Sequence, residues 1–151
     1  MFEKLFPKTV GNSYQGHWIA KWLLILYAAK SLFAASVHMF AADGGAQSIG
    51  SVALDQFSQG GANSVITMFG LWGMEQLVIG LIAIVILLRY KALIPMMALV
   101  NVIEYAGRFT AHLYTPGLVT AHTPPGAVMD NILFPLALVM LVLSLMTKQE
   151  A

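Results

Sequence analysis

The chain has 151 residues, 58% of them hydrophobic and only 10% charged, against about 25% charged in ordinary soluble domains. A surface this poor in charge cannot face water, which excludes a soluble globular protein, and a net charge of +1 supplies no basic stripe for nucleic acid. Cysteine is absent, so disulfides, thiolate chemistry and cysteine-held clusters are excluded as well.

Glu3, Lys4, Lys8 and His17 precede the first apolar run, and no short apolar stretch ends in a small-residue cleavage site. No signal peptide is expected there. A helix needs about 20 mostly apolar residues to cross the hydrocarbon of a bilayer. Four segments qualify: residues 18–41, 64–88, 92–113 and 128–146. Breakers punctuate the connections, with Asp43-Gly44-Gly45 and Gly60-Gly61 in the first and Thr115-Pro116-Gly117 and Pro124-Pro125-Gly126 in the last. The expected fold is all-α: one domain over residues 1–151, a bundle of four transmembrane helices without internal repeat.

Lys4, Lys8 and Lys21 flank the first span, Arg89 and Lys91 occupy the turn between spans two and three, and Lys148 follows span four. The other two connections hold no Lys or Arg. The positive-inside rule then puts both termini and the tight turn in the cytoplasm. In the long connection after span one, Ile49, Val52, Ala53 and Phe57 have near-helical spacing and allow a short interfacial helix, an ordinary solvated loop being the alternative.

An ionisable side chain at mid-bilayer costs about 2.5–3.5 kcal/mol on insertion scales and marks a functional hypothesis. Lys30, Glu75 and Glu104 fall near the centres of spans one, two and three, and His38, Arg108, His112 and Asp130 fall nearer the outer surface. Asn101, Glu104, Arg108 and His112 follow at spacings of three, four and four, within one helix face roughly 80° wide. Such a stripe is expected to face other helices or a water-filled cavity, and Glu104 and Arg108 are placed for an i,i+4 ion pair. Spans one and three run outward and span four runs inward, so His38, Arg108, His112 and Asp130 share a depth. The expectation is an outward-opening polar pocket of His38, Glu75, Asn101, Glu104, Arg108, His112 and Asp130 with Lys30 in its floor, in which two cations, Lys30 and Arg108, face three carboxylates. Lys30, Glu104 and Arg108 alternatively form structural ion pairs that fix helix rotation. Pro135 is expected to kink span four and free the carbonyl of Asn131.

Other readings of the same residues are blander or narrower. Histidines at equal depth on separate helices can ligate a haem, and His38, His112 and Asp130 a metal ion, but no local ligand motif supports either. Met39, Met68 and Met129 with histidine would suit copper(I), yet methionine more commonly fills gaps in apolar packing. Trp72, one turn from Glu75, either lines the pocket or packs. Gly70, Gly73 and Gly80 read as sites of close helix approach.

The stretch Gly73-Met74-Glu75-Gln76-Leu77-Val78-Ile79-Gly80, the apolar run after it, the turn with Arg89 and Lys91-Ala92, and a third span ending in His112 resemble the DoxX-like group of small bacterial four-helix membrane proteins. Gly107-Arg108 and Pro124-Pro125-Gly126 belong to the same resemblance. Glu75, Gly80 and His112 match the group's motif, whereas Lys21 stands where an arginine is expected. The resemblance implies a multi-pass protein of the bacterial inner membrane, quinone-linked or acting as an accessory subunit.

Three functions follow from these readings. The first is binding of a small lipid-soluble ligand such as a quinone, or service as a redox-linked accessory subunit. The second is a membrane-embedded oxidoreductase or isomerase using Glu75 or Glu104 with His112 as acid and base. The third is a purely structural subunit of a larger membrane complex, and self-association stays open beside it.

Overall fold

A computed structural model describes residues 2–111, 113–115, 117 and 119–146. Four long helices carry the chain: α1 (Trp18–Phe40), α2 (Gln59–Arg89), α3 (Ile94–Ala111, entered through a 3-10 turn at Lys91–Leu93) and α4 (Pro125–Leu145). All four are long and apolar enough to cross a bilayer, and the described residues form no sheet, only one isolated β-bridge. The start of α1, the end of α4 and the α2–α3 turn lie at one end of the bundle. The connection between α1 and α2 and the described residues of that between α3 and α4 lie at the other, called here the loop end.

Helix limits follow from local chemistry. The ring nitrogen Nδ1 of His17 caps α1 by accepting from the Ile19 N–H. Ser58 Oγ accepts from the Gly61 N–H at 3.2 Å, so α2 starts at Gln59, five residues before the apolar run itself. Pro125 occupies the first turn of α4, where a missing N–H costs nothing, and this helix continues through Pro135.

Each helix buries one face. On α1 it is Ala20, Leu24, Tyr27, Ala28, Ser31, Ala35 and His38, and on α2 Phe69, Gly73, Gln76, Gly80, Ala83 and Ile86, both at the three-and-four spacing of a helical stripe. These faces meet closely because of two glycines. A Cβ on Gly73 would come within 2.7 Å of the His38 Cβ, and one on Gly80 within 2.8 Å of the Leu32 side chain. Small residues at such crossings let backbones approach in lipid, where dispersion packing replaces the hydrophobic effect. The core continues through Leu24, Tyr27, Met97, Tyr105, Leu133 and Met140. There the Tyr27 hydroxyl donates to the Leu133 carbonyl, and the Tyr27 and Tyr105 rings meet edge-on at 5.7 Å. α1 packs chiefly on α2 and then on α4, and α3 packs on α4; α2 and α3 barely touch despite their short connection.

The loop end is folded: the segment expected as a short helix or a solvated loop holds one 3-10 turn at Leu54–Gln56, and its Val52 and Ala53 are buried. Asp43 accepts from the N–H groups of Gly45, Gln47 and Ser48 at 2.7–3.2 Å. Burial alone would raise its carboxyl, but the Ser48 and Gly45 donors outweigh that and hold the pKa below the usual aspartate value. Gly44 and Gly45 take left-handed backbone at φ +59° and +69°, a region open to glycine. Val52 bridges Thr120 in antiparallel fashion, Ala53 N–H donates to the Val119 carbonyl and Ala121 N–H to the Ser51 carbonyl. Ser51 Oγ lies 3.1 Å from His122 Nδ1. The two connections are thereby tied into one roof over a small apolar cluster of Ala46, Val52, Leu54 and Phe69. At the opposite end, Lys4 Nζ donates to the Leu145 carbonyl and Tyr14 packs so closely that burial pushes its hydroxyl up to about 12.

Candidate functional site

Beneath the roof lies a cavity of about 300 Å³. α1 contributes Lys30, Phe33, Ala34 and His38, α2 contributes Phe69, Trp72 and Gln76, α3 Arg108, and α4 Met129 and Asp130. Ile49, Gly50 and the segment from Pro124 to Ala127 close it toward the loops. Phe33 and Met129 line the cavity yet are 66% and 47% exposed, so its rim reaches the lateral surface between α1 and α4.

Arg108 organises the polar wall. Its guanidinium binds the Glu104 carboxylate one helical turn back and lies 3.5 Å from Asp130 on α4. Its planar faces meet two rings: the Trp72 centroid is 4.9 Å away and that of Tyr105 5.0 Å. Carboxylates and aromatic faces together compensate a guanidinium drawn out of water. One positive charge is thus shared between two carboxylates.

Lys30 stands apart from that cluster. Its ammonium sits 5.6 Å from the Tyr105 centroid and has no hydrogen bond or contact ion pair among the described residues. Three donors therefore remain free beside the cavity. His38 stacks on Trp72 at 5.0 Å, and its Nδ1 lies 2.8 Å from the Gly44 carbonyl. A carbonyl can only accept, so Nδ1 carries the proton, and Nε2 has no partner among the described residues. Close approach at Gly45, where a Cβ would fall 2.9 Å from Nδ1, makes that bond geometrically possible.

Gln76 is 1% exposed, and neither its Nε2 nor its Oε1 has a partner. Buried amides without partners are rare and costly. No charge drew attention to Gln76 in the sequence; the available signal was an amide one turn from Trp72 and two from Phe69 on a single helix face.

The other anticipated residues are placed differently. Glu104 stands behind Arg108 and does not line the cavity, so a free acid or base there would first have to leave the guanidinium. Asn101 is buried, donating to the Met97 carbonyl at 2.8 Å with Oδ1 unpartnered, and also lies off the cavity. Glu75 is exposed and does not line it; Gln76, turned 100° from it, does. Asn131 is exposed and donates to the Ala127 carbonyl. His112 lies outside the described residues. Among the described residues no three His, Asp or Glu side chains converge as metal ligands, although His38 and Asp130 both line the cavity. Comparison with protein-family models, curated proteins and solved structures returns no match.

Proposed function

We propose that this chain is a membrane-embedded binding protein whose cavity holds a small lipid-soluble molecule bearing carbonyl oxygens, of the quinone class. The observation that carries the reading is the pairing of unengaged donors, Lys30 and Gln76, with an apolar wall of Phe33, Phe69, Trp72 and Met129, the remaining charge of Arg108 and Asp130 being engaged within the protein. A planar ring lies against the apolar part of the wall while its oxygens accept from the ammonium and the amide, which relieves two groups left unsatisfied in the protein alone. A volume of about 300 Å³ sits at the small end of the range for ligand pockets. The rim at Phe33 and Met129 lets an apolar tail remain among acyl chains.

Lys4, Lys8, Arg89 and Lys91 all belong to the terminal end of the bundle, so the positive-inside rule turns that end to the cytoplasm and the cavity to the outer half of a bacterial inner membrane. The resemblance to the DoxX-like group supports the same assignment. The test is titration of a decyl-substituted benzoquinone into protein in phosphatidylcholine nanodiscs, read by quenching of Trp72 with Trp18 and Trp22 replaced by phenylalanine. Lys30→Met and Gln76→Leu are each expected to weaken binding at least tenfold. Binding as tight in both variants as in the parent would defeat the proposal.

A further inference from the structure

Glu75 is the only charged residue of α2 before Arg89. Fourteen residues at 1.5 Å place it about 20 Å along the axis from Arg89, inside a hydrocarbon layer about 30 Å thick. It is exposed, and among the described residues it makes no hydrogen bond and no contact ion pair. Glu104, Arg108 and Lys30 act on it only at a distance. A bare carboxylate against acyl chains is among the costliest placements a membrane helix offers.

Its surroundings lie along the side where α2 and α3 barely touch. Trp72, Glu75, Ile79 and Ile82 share one flank of α2, and Val100, Glu104 and Gly107 share one flank of α3 by helical spacing. Trp72 meets Arg108 across the gap, which puts these flanks on the side where the two helices barely touch. Gly107 is open, since a Cβ there would meet nothing within 4 Å, and an open small residue suits a closely approaching helix. The charge is one-sided as well. Arg108 is already shared by Glu104 and Asp130, and Lys30, which lines the cavity, makes no contact ion pair with Glu75.

We propose that this side, between α2 and α3, receives a transmembrane helix of a different membrane protein, one carrying lysine or arginine at the depth of Glu75. A second copy of this chain does not fit that requirement. Its bases at comparable depth, Lys30 and Arg108, both line the cavity; Arg89 lies at the far end of α2, and a two-fold contact through α2 would set Glu75 against Glu75. This assignment is independent of what the cavity holds.

The test uses three synthetic 23-residue leucine–alanine helices with lysine flanks and a central lysine, leucine or glutamate. Association is followed in phosphatidylcholine vesicles by energy transfer to a dye on Ser64→Cys, the chain having no native cysteine. The lysine helix is expected to bind at least tenfold more tightly than the leucine helix. Glu75→Gln should shrink that preference below threefold, and Glu75→Lys should transfer it to the glutamate helix. Equal binding of the lysine and leucine helices overturns the proposal, as does a lysine preference that survives Glu75→Gln. Homodimers cross-linked through Ile82→Cys, with Glu75 retained, at protein-to-lipid ratios where the lysine helix fails to compete would assign this side to a second copy and also overturn it.

Discussion

Arg108 of α3 lies over the ring of Trp72 on α2, 4.9 Å from its centroid. It is the main bridge across the loosest side of the bundle, and the same guanidinium reaches Asp130 on α4. One side chain therefore joins three helices, and to α2 it does so where the two helices otherwise barely touch.

That arrangement makes Arg108 a point of high cost. Arg108→Ala leaves Glu104 and Asp130 buried and unpaired, and loss of one partner of such a cluster costs about 3–5 kcal/mol. Adding Glu104→Gln and Asp130→Asn is expected to restore more than half of the lost stability. Denaturation in mild detergent of the single and triple variants measures both effects; a triple variant no more stable than Arg108→Ala would refute the charge argument.

The glycines of the bundle divide by their surroundings. Gly73→Ala sets a Cβ 2.7 Å from the His38 Cβ, a collision with a rigid atom, and is expected to cost about 1–3 kcal/mol. Gly107→Ala meets open space and is expected to be neutral or to gain up to about 1 kcal/mol from helix propensity. Paired thermal melts distinguish the two, and equal shifts would show that α1 and α2 are not held at the distance described.

The roof should respond to acid. Asp43 has a folded pKa below its ordinary value, so its contribution is present at neutral pH and is lost as pH falls through that lowered value. Amide exchange of residues 44–50, corrected for intrinsic rate, is expected to speed up in strong acid. Asp43→Ala should already exchange fast at pH 7. Exchange that stays slow in the variant would remove Asp43 as the organiser of this turn.

Access to the cavity is expected from the side. Val52 and Thr120 face each other in an antiparallel bridge, within disulfide reach, so Val52→Cys with Thr120→Cys should lock the roof under oxidation. Quinone uptake from vesicles is expected to be unchanged by locking and slowed severalfold by Phe33→Trp together with Met129→Trp. Uptake abolished by the lock would place the route through the loops.

The four helices were legible because a bilayer demands length and apolarity, and residues such as Leu81 to Leu88 leave no other reading. The polar stripe of α3 was legible for a related reason: Glu104 and Arg108 are too costly to scatter at random. Between Glu75 and Gln76 the sequence held only a weak signal, the helical spacing of Gln76 from Phe69, Trp72, Gly73 and Gly80. Neighbours on a helix differ by 100°, and the rotation of α2 is set by Gly73 and Gly80 seating against His38 and Leu32, a fact of packing. Charge made Glu75 conspicuous, whereas the uncharged Gln76 is the one turned inward. The roof was hidden because its bonds join Ser51 and Ala53 to Val119 and Ala121, segments with no alternating pattern and far apart in the chain.

That pairing carries a consequence for biogenesis. The segment around Val52 has no strand mate until the stretch around Thr120 has been synthesised and carried to the same side of the bilayer. The first helical hairpin must therefore insert with its crossing loop unfastened, and closure of the roof becomes a late event, available only once the second hairpin is in place.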